Sequence, residues 1–255
     1  MVTPQEVTFP AGDGLQLHGQ LFLPPKQAAN GARARGGVLP RRFAAPDDAR
    51  LALHVLLLQR LCDESVPGQF RLRSIERQLP QRHRLRHGIS RGAELWRERR
   101  HEYNDVQGAG IYLRGRADVD PARIGAWGGS YGGYLVAMAL ARAGDLYKAG
   151  VDFHGVHNWA TELNIPVTEP DYKIAFESSP MAFLKTWRAP VLLIQGDDDR
   201  SVQFNQTVVL AGALRKQGVE IRGTGDPRRG HDFLLHRSWK TTYEATARFL
   251  QQHLK

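Results

Sequence analysis

At 255 residues with 42% hydrophobic side chains, the chain is long enough to bury a core and fits one large α/β domain, residues 1–255. Its single cysteine, Cys62, excludes an internal disulfide or a cysteine-based metal cluster, and no stretch approaches the roughly 20 apolar residues of a membrane span. The net charge of +9 would ordinarily suggest a polyanionic partner, but it is localised: residues 33–100 hold 16 Arg and no Lys against 7 Asp plus Glu, while the remainder balances at 19 basic and 19 acidic. No basic region followed by an apolar run opens the sequence, so a cytoplasmic protein without a membrane partner is expected.

Residues 6–9 and 15–23 alternate with strand periodicity around Gly12-Asp13-Gly14, which predicts an antiparallel hairpin. From 36 to 100 the pattern is lost. Leucine blocks such as Leu56-Leu57-Leu58 stand beside Arg82-His83-Arg84-Leu85-Arg86-His87 with no sustained period of 2 or 3.6. A basic nucleic-acid arm usually mixes Lys with Arg and interleaves aromatics, so no specific nucleic-acid partner is expected. Order returns at residue 102, with a helix over 105–113, a turn over 118–123, and strands over 123–127 and 147–153. The apolar run 190–196, ending in Gly196, reads as a central parallel strand covered on both faces. A helix over 204–217, a short strand over 219–221 and a closing amphipathic helix over 239–254 follow. Strands alternating with helices predict an α/β fold with a mostly parallel central sheet and helices on both faces.

Gly128-Gly129-Ser130-Tyr131-Gly132 sits between the strand at 123–127 and an apolar helical run beginning at Gly133. Such a G-x-S-x-G turn forces its serine into strained geometry and leaves the hydroxyl exposed at a helix N-terminus. A serine hydroxyl becomes a useful nucleophile only when a histidine takes its proton and a carboxylate fixes that histidine. Asp199, within Gly196-Asp197-Asp198-Asp199-Arg200-Ser201-Val202, and His231, within Gly230-His231-Asp232-Phe233, follow in the order Ser, Asp, His used by the α/β-hydrolase fold.

Gly-Gly-Ser-Tyr-Gly-Gly-Tyr, Leu-Leu-Ile-Gln-Gly-Asp-Asp-Asp-Arg-Ser-Val and Gly-His-Asp-Phe together resemble the catalytic domain of the prolyl oligopeptidase family, in its dipeptidyl-peptidase and acylaminoacyl-peptidase branches. The resemblance covers residues 1–35 and about 102–255. It implies a serine peptidase acting on short peptides without metal or organic cofactor, with Ser130 as nucleophile, Asp199 as acid and His231 as general base. It also implies the Tyr131 backbone N–H as an oxyanion donor, and Tyr134, Val156 and Trp159 as an apolar substrate pocket. A stand-alone esterase or amidase using the same residues is the alternative. His154 and His157 have metal-like spacing but no apparent third ligand, so a structural or pocket-rim role is expected. The family's β-propeller has no counterpart in this sequence, and the oligomeric state is not legible.

Two family features are missing where they belong: an early strand ending in His-Gly-Gly, and a following segment that supplies a tyrosine as second oxyanion donor. The Arg-rich segment stands there instead. Codons for residues 37–46 can be chosen so that the frame one base later reads Val-Phe-Phe-His-Gly-Gly-Ser-Arg-Arg-Gln. Those for 79–87 permit Tyr-Arg-Ser-Gly-Ile-Gly-Tyr-Gly-Met, and those for 95–100 permit Tyr-Gly-Ala-Ser-Gly-Ala. Residues of about 37–100 are therefore expected to be a frameshifted translation, aberrant or poorly ordered, with the sheet losing central members. A catalytically inactive product of a frameshifted peptidase gene is the corresponding third reading. A smaller disturbance is expected over residues 223–229.

Overall fold

In the computed structural model, which describes residues 5–22, 54–60, 67–73, 90–226 and 229–254, the opening alternation forms the expected hairpin. β1 (Gln5–Pro10) and β2 (Gln16–Phe22) pair antiparallel, with Phe9, Leu17 and Leu21 turned into the core. At the turn Gly14 takes φ +88°, a conformation that costs glycine nothing, and the Asp13 Oδ1 accepts the Leu15 N–H at 3.2 Å.

Eight strands form one sheet in the order β1-β2-β4-β3-β5-β6-β7-β8. β5 (Ile124–Gly129), β6 (Ala149–Phe153), β7 (Val191–Gly196) and β8 (Ile221–Asp226) pair in parallel. The other pairings are antiparallel, so that β2 and β3 run against the remaining strands. β3 (His54–Arg60) and β4 (Pro67–Arg73) come from the Arg-rich segment and occupy the two positions between β2 and β5. The expected loss of central strands is thereby corrected: both positions are filled. They are filled by adjacent antiparallel strands, because residues 61–66 are too short for the dozen or more residues that a parallel crossover needs. The remainder of that segment up to residue 89 lies outside the described residues.

The apolar run of β7 divides between two faces, as the strand period of 2 requires. Val191 and Leu193 join the larger core with α1 (Ser90–Arg114), α2 (Tyr131–Arg142) and α5 (Asn205–Lys216). Leu192 and Ile194 join Ala149, Val151 and Phe153 of β6 beneath α6 (His236–His253). The predicted helix at 105–113 is the C-terminal part of α1, whose Tyr103, Val106, Ala109 and Leu113 form its buried stripe. Within α2, residues 132–141 are buried throughout, so this helix has no solvent face.

The short strand expected at 219–221 begins at Ile221 instead, because Val219 caps α5. Gly218 at φ +74° donates to the Arg215 carbonyl, and the Val219 N–H reaches back to Leu214 O at 3.1 Å, the paired bonds of a Schellman motif. Within the suspected disturbance at 223–229, residues 223–226 continue β8, while 227 and 228 lie outside the described residues. Between β6 and β7 lie α3 (Trp159–Glu162), α4 (Pro170–Glu177) and a 3₁₀ segment, Pro180–Thr186, none of which the sequence pattern signalled. Among the described residues no helix is long and apolar enough to cross a membrane.

Candidate active site

Ser130 is the single residue between β5 and α2, and it carries φ 56°, ψ −118°. The turn is possible because its neighbours lack side chains. A Cβ on Gly128 would lie 2.6 Å from the Gly132 backbone, and one on Gly133 would lie 2.4 Å from the Asp152 Oδ1. The Ser130 amide is held twice, donating to Phe153 O at 2.9 Å and to the His154 Nδ1 at 3.1 Å.

Asp199 stands in the loop after β7, at the carboxyl end of the parallel sheet. Its Oδ1 accepts the N–H groups of Ser201 at 2.9 Å and Val202 at 3.0 Å, and its Oδ2 accepts Gln195 Nε2 at 3.2 Å. Gln195 is fixed in turn by Val202 O at 2.9 Å and by the Thr207 hydroxyl at 2.6 Å. Burial alone would push the Asp199 carboxyl up, but the bond to His231 and the two amides outweigh it and hold the group below the usual carboxylate value. Asp197 and Asp198 are exposed, and Asp198 pairs with Arg200 at 3.2 Å.

His231 lies in the loop between β8 and α6, 2.8 Å from the Asp199 Oδ2 through Nδ1 and 2.9 Å from the Ser130 Oγ through Nε2. An ionised carboxylate only accepts, so Nδ1 carries the proton and Nε2 is left to accept from the serine hydroxyl. The loop is anchored at both ends: Asp198 N–H donates to Arg229 O at 3.1 Å, and buried Phe233 packs edge-on against Trp239 at 5.8 Å. A serine hydroxyl bonded this way can pass its proton to the imidazole as it attacks an electrophilic carbon.

Tyr131 opens α2, so its backbone amide lies at the helix end where the macrodipole favours a developing negative charge. Its ring packs 5.1 Å from Tyr134 and 6.0 Å from Trp159, and its hydroxyl bonds Glu102 of α1. Tyr134 and Trp159 meet edge-to-face at 5.5 Å, and the Tyr134 hydroxyl donates to Ser178 O at 3.0 Å. Val156 is buried in the same core cluster.

His154 and His157 do not converge. His157 Nε2 lies 2.7 Å from the Asp152 Oδ2 with both side chains 1% exposed, a buried strut at the end of β6. His154 turns the other way and packs its ring 4.0 Å from that of His231. His154, Asp199 and His231 bring ligand-type atoms within 4.8 Å of one another. A metal there would have to displace bonds that already occupy both nitrogens of His231 and both carboxylate oxygens of Asp199. One supporting residue escaped the sequence reading: Gln195 was visible only as a polar residue inside an apolar strand. His154 was singled out, but by its spacing to His157 rather than by its contacts with Ser130 and His231.

Residues 93–255 match the model of the family described as Prolyl oligopeptidase family. Dipeptidyl peptidase 4 of Sus scrofa is 29% identical over 143 residues, 52% of this chain and 19% of that protein. Prolyl endopeptidase FAP of Bos taurus is 32% identical over 143 residues, again 52% of this chain and 19% of the relative. The chain thus spans about a fifth of the length of these two relatives. Among solved structures, uncomplexed acylaminoacyl peptidase of Pyrococcus horikoshii superimposes with a TM-score of 0.66 at 19% identity, over 100% of this chain and 42% of that one, a likeness of fold.

Proposed function

Since the chain belongs to the prolyl oligopeptidase family, we propose that it is a serine-type peptidase that hydrolyses peptide bonds of short peptides through an acyl-enzyme formed on Ser130. The observation that carries this reading is the continuous relay Asp199–His231–Ser130, with separations of 2.8 and 2.9 Å at a strained strand-to-helix elbow. The family and the relatives named as peptidases support peptides as the substrate class.

In the first half-reaction Ser130 Oγ attacks the scissile carbonyl carbon while its proton passes to His231 Nε2. Asp199 stabilises the imidazolium through Nδ1–H. The oxyanion develops beside the N-terminus of α2, where the Tyr131 N–H donates to it. Collapse breaks the C–N bond, and His231 returns the proton to the leaving amine. Water then attacks the acyl ester by the same route in reverse, releasing the acid and restoring Ser130. Trp159 and Val156, 8% and 4% exposed, form the apolar wall for the residue preceding the scissile bond, and Tyr134, 0% exposed, backs Trp159 edge-to-face from within the core. No metal or organic cofactor enters this chemistry.

One observation favours a second reading, a catalytically inactive product of a frameshifted peptidase gene: β3 and β4, both from the Arg-rich segment, pair antiparallel between β2 and β5, where the family's early strand ending in His-Gly-Gly belongs. Labelling with a fluorophosphonate probe separates the two. Attack by Ser130 Oγ forms an O–P bond, expels fluoride and sends the serine proton to His231. Labelling of the purified chain that is lost in Ser130→Ala supports the peptidase; no labelling of soluble, monodisperse protein supports the inactive product. Cleavage of simple esters without any cleavage of short peptides would instead leave the esterase.

A further inference from the structure

His154 is 7% exposed and stands at the junction of the strained elbow and the proposed base. Three contacts fix it there. Its backbone N–H donates to Ile194 O of β7 at 2.8 Å, its Nδ1 accepts the Ser130 N–H at 3.1 Å, and its ring lies 4.0 Å from that of His231 with an interplanar angle of 52°. Phe233 packs against the same ring edge-on at 5.8 Å. Holding this position requires φ 40°, a left-handed conformation that costs on the order of 1–3 kcal/mol in a residue other than glycine. A backbone this costly persists because its surroundings fix it, and here those surroundings include Ser130 and His231.

We propose that His154 is a positioning residue, whose neutral imidazole anchors the Ser130 amide through Nδ1 and supports the ring of His231, keeping nucleophile and base in register. The proposal rests on the reading of Ser130, Asp199 and His231 given above. Because Nδ1 must accept from an N–H, the proton of neutral His154 sits on Nε2. A second proton would have to take the place of the Ser130 bond, in a buried site beside another imidazole. Burial first, then His231, accordingly push the His154 pKa down to about 4, against the weaker pull of Asp199 and Asp152. His154 therefore stays uncharged while His231 gains and loses its proton, and leaves that exchange to the Asp199 side.

Three variants divide the role. His154→Asn keeps an acceptor near the place of Nδ1 and loses the ring, His154→Phe keeps a ring and loses the acceptor, and His154→Ala loses both. Fluorophosphonate labelling rates, kcat and KM on a short peptide amide, and thermal melts are measured for each. His154→Ala is expected to label and turn over about a hundredfold more slowly, the scale of a small misplacement of reacting atoms, with KM unchanged. His154→Asn and His154→Phe should each recover part of the rate. If His154→Ala does not fold, the other two carry the test: slowed kcat at constant KM in both is expected, and wild-type kcat in both overturns the proposal. A loss confined to melting temperature, with labelling unchanged, also overturns it. ¹⁵N shifts of the histidine rings at neutral pH should give His154 as the Nε2–H tautomer; Nδ1–H would overturn the anchoring bond. A wild-type chain that takes up no probe removes the peptidase reading and this proposal with it. A labelled wild type whose three variants label equally well removes this proposal alone.

Discussion

On one side of β5 the sheet is parallel, its inner strands β6 and β7 are buried along their whole length, and its loops carry the proposed triad. On the other side the pairings are antiparallel, and two of the four strands come from a segment whose Arg-rich sequence has no strand or helix period. The difference teaches where site geometry comes from. Ser130, Asp199 and His231 follow β5, β7 and β8, and the residues that brace them, His154 and Gln195, lie just after β6 and within β7. The proposed triad is therefore carried by loops of the parallel half, and the antiparallel half reaches it through β3, which pairs with the elbow strand β5.

The largest effect that would break this comparison lies in the acid. Asp199→Asn should lower kcat by about four orders of magnitude, because an amide no longer holds the His231 tautomer, while the fold at neutral pH persists. Circular dichroism beside kinetics checks this; a variant that unfolds would mean that site and scaffold are not separable. The sign of the pH effect follows from the lowered Asp199 pKa. Its stabilisation is complete above the ordinary carboxylate value of the unfolded chain and is lost as pH falls through the lower folded value, so Asp199→Asn should flatten the acid limb of the stability curve.

A smaller effect is expected in the other half. Restoring the shifted reading frame over residues 37–100 should raise kcat/KM about a hundred- to a thousandfold, the worth of one oxyanion donor. Equal rates before and after restoration would mean that the segment does not contribute to the transition state. Sequencing the gene tests the premise, since codons that do not encode the three shifted peptides remove it. Smaller still is the contrast in packing. Ile194→Ala in β7 should cost about 2–5 kcal/mol, and Leu17→Ala in the edge hairpin should fall at the low end of that range. Equal losses in denaturant titrations would erase the distinction between central and peripheral strands.

Much of the parallel half was legible because its signals agree. Val191 to Gly196 could only be a strand buried on both faces, Gly128 and Gly133 were glycines because backbone and carboxylate approach them closely, and Asp199 stood apart from Asp197 and Asp198 by its place in the motif. What escaped notice lacked a local pattern. Val219 reads as strand until its N–H is seen to cap α5, and α3 and α4 are too short to show a period. β3 and β4 were hidden by arginines, and their pairing depends on a short connection rather than on alternation. His154 drew attention only through its spacing to His157, because its contacts are with residues 24 and 77 positions away in the chain, Ser130 and His231.

The burial of α2 on every side has a thermodynamic consequence. A helix with a solvent face can fray at its N-terminus for a small free energy, carrying the preceding residue with it. Residues 132–141 have no such face, so the elbow has no cheap local opening. Reactivity at Ser130 and cooperative melting of the domain should therefore be lost at the same denaturant concentration, making the serine a chemical reporter of the global unfolding equilibrium.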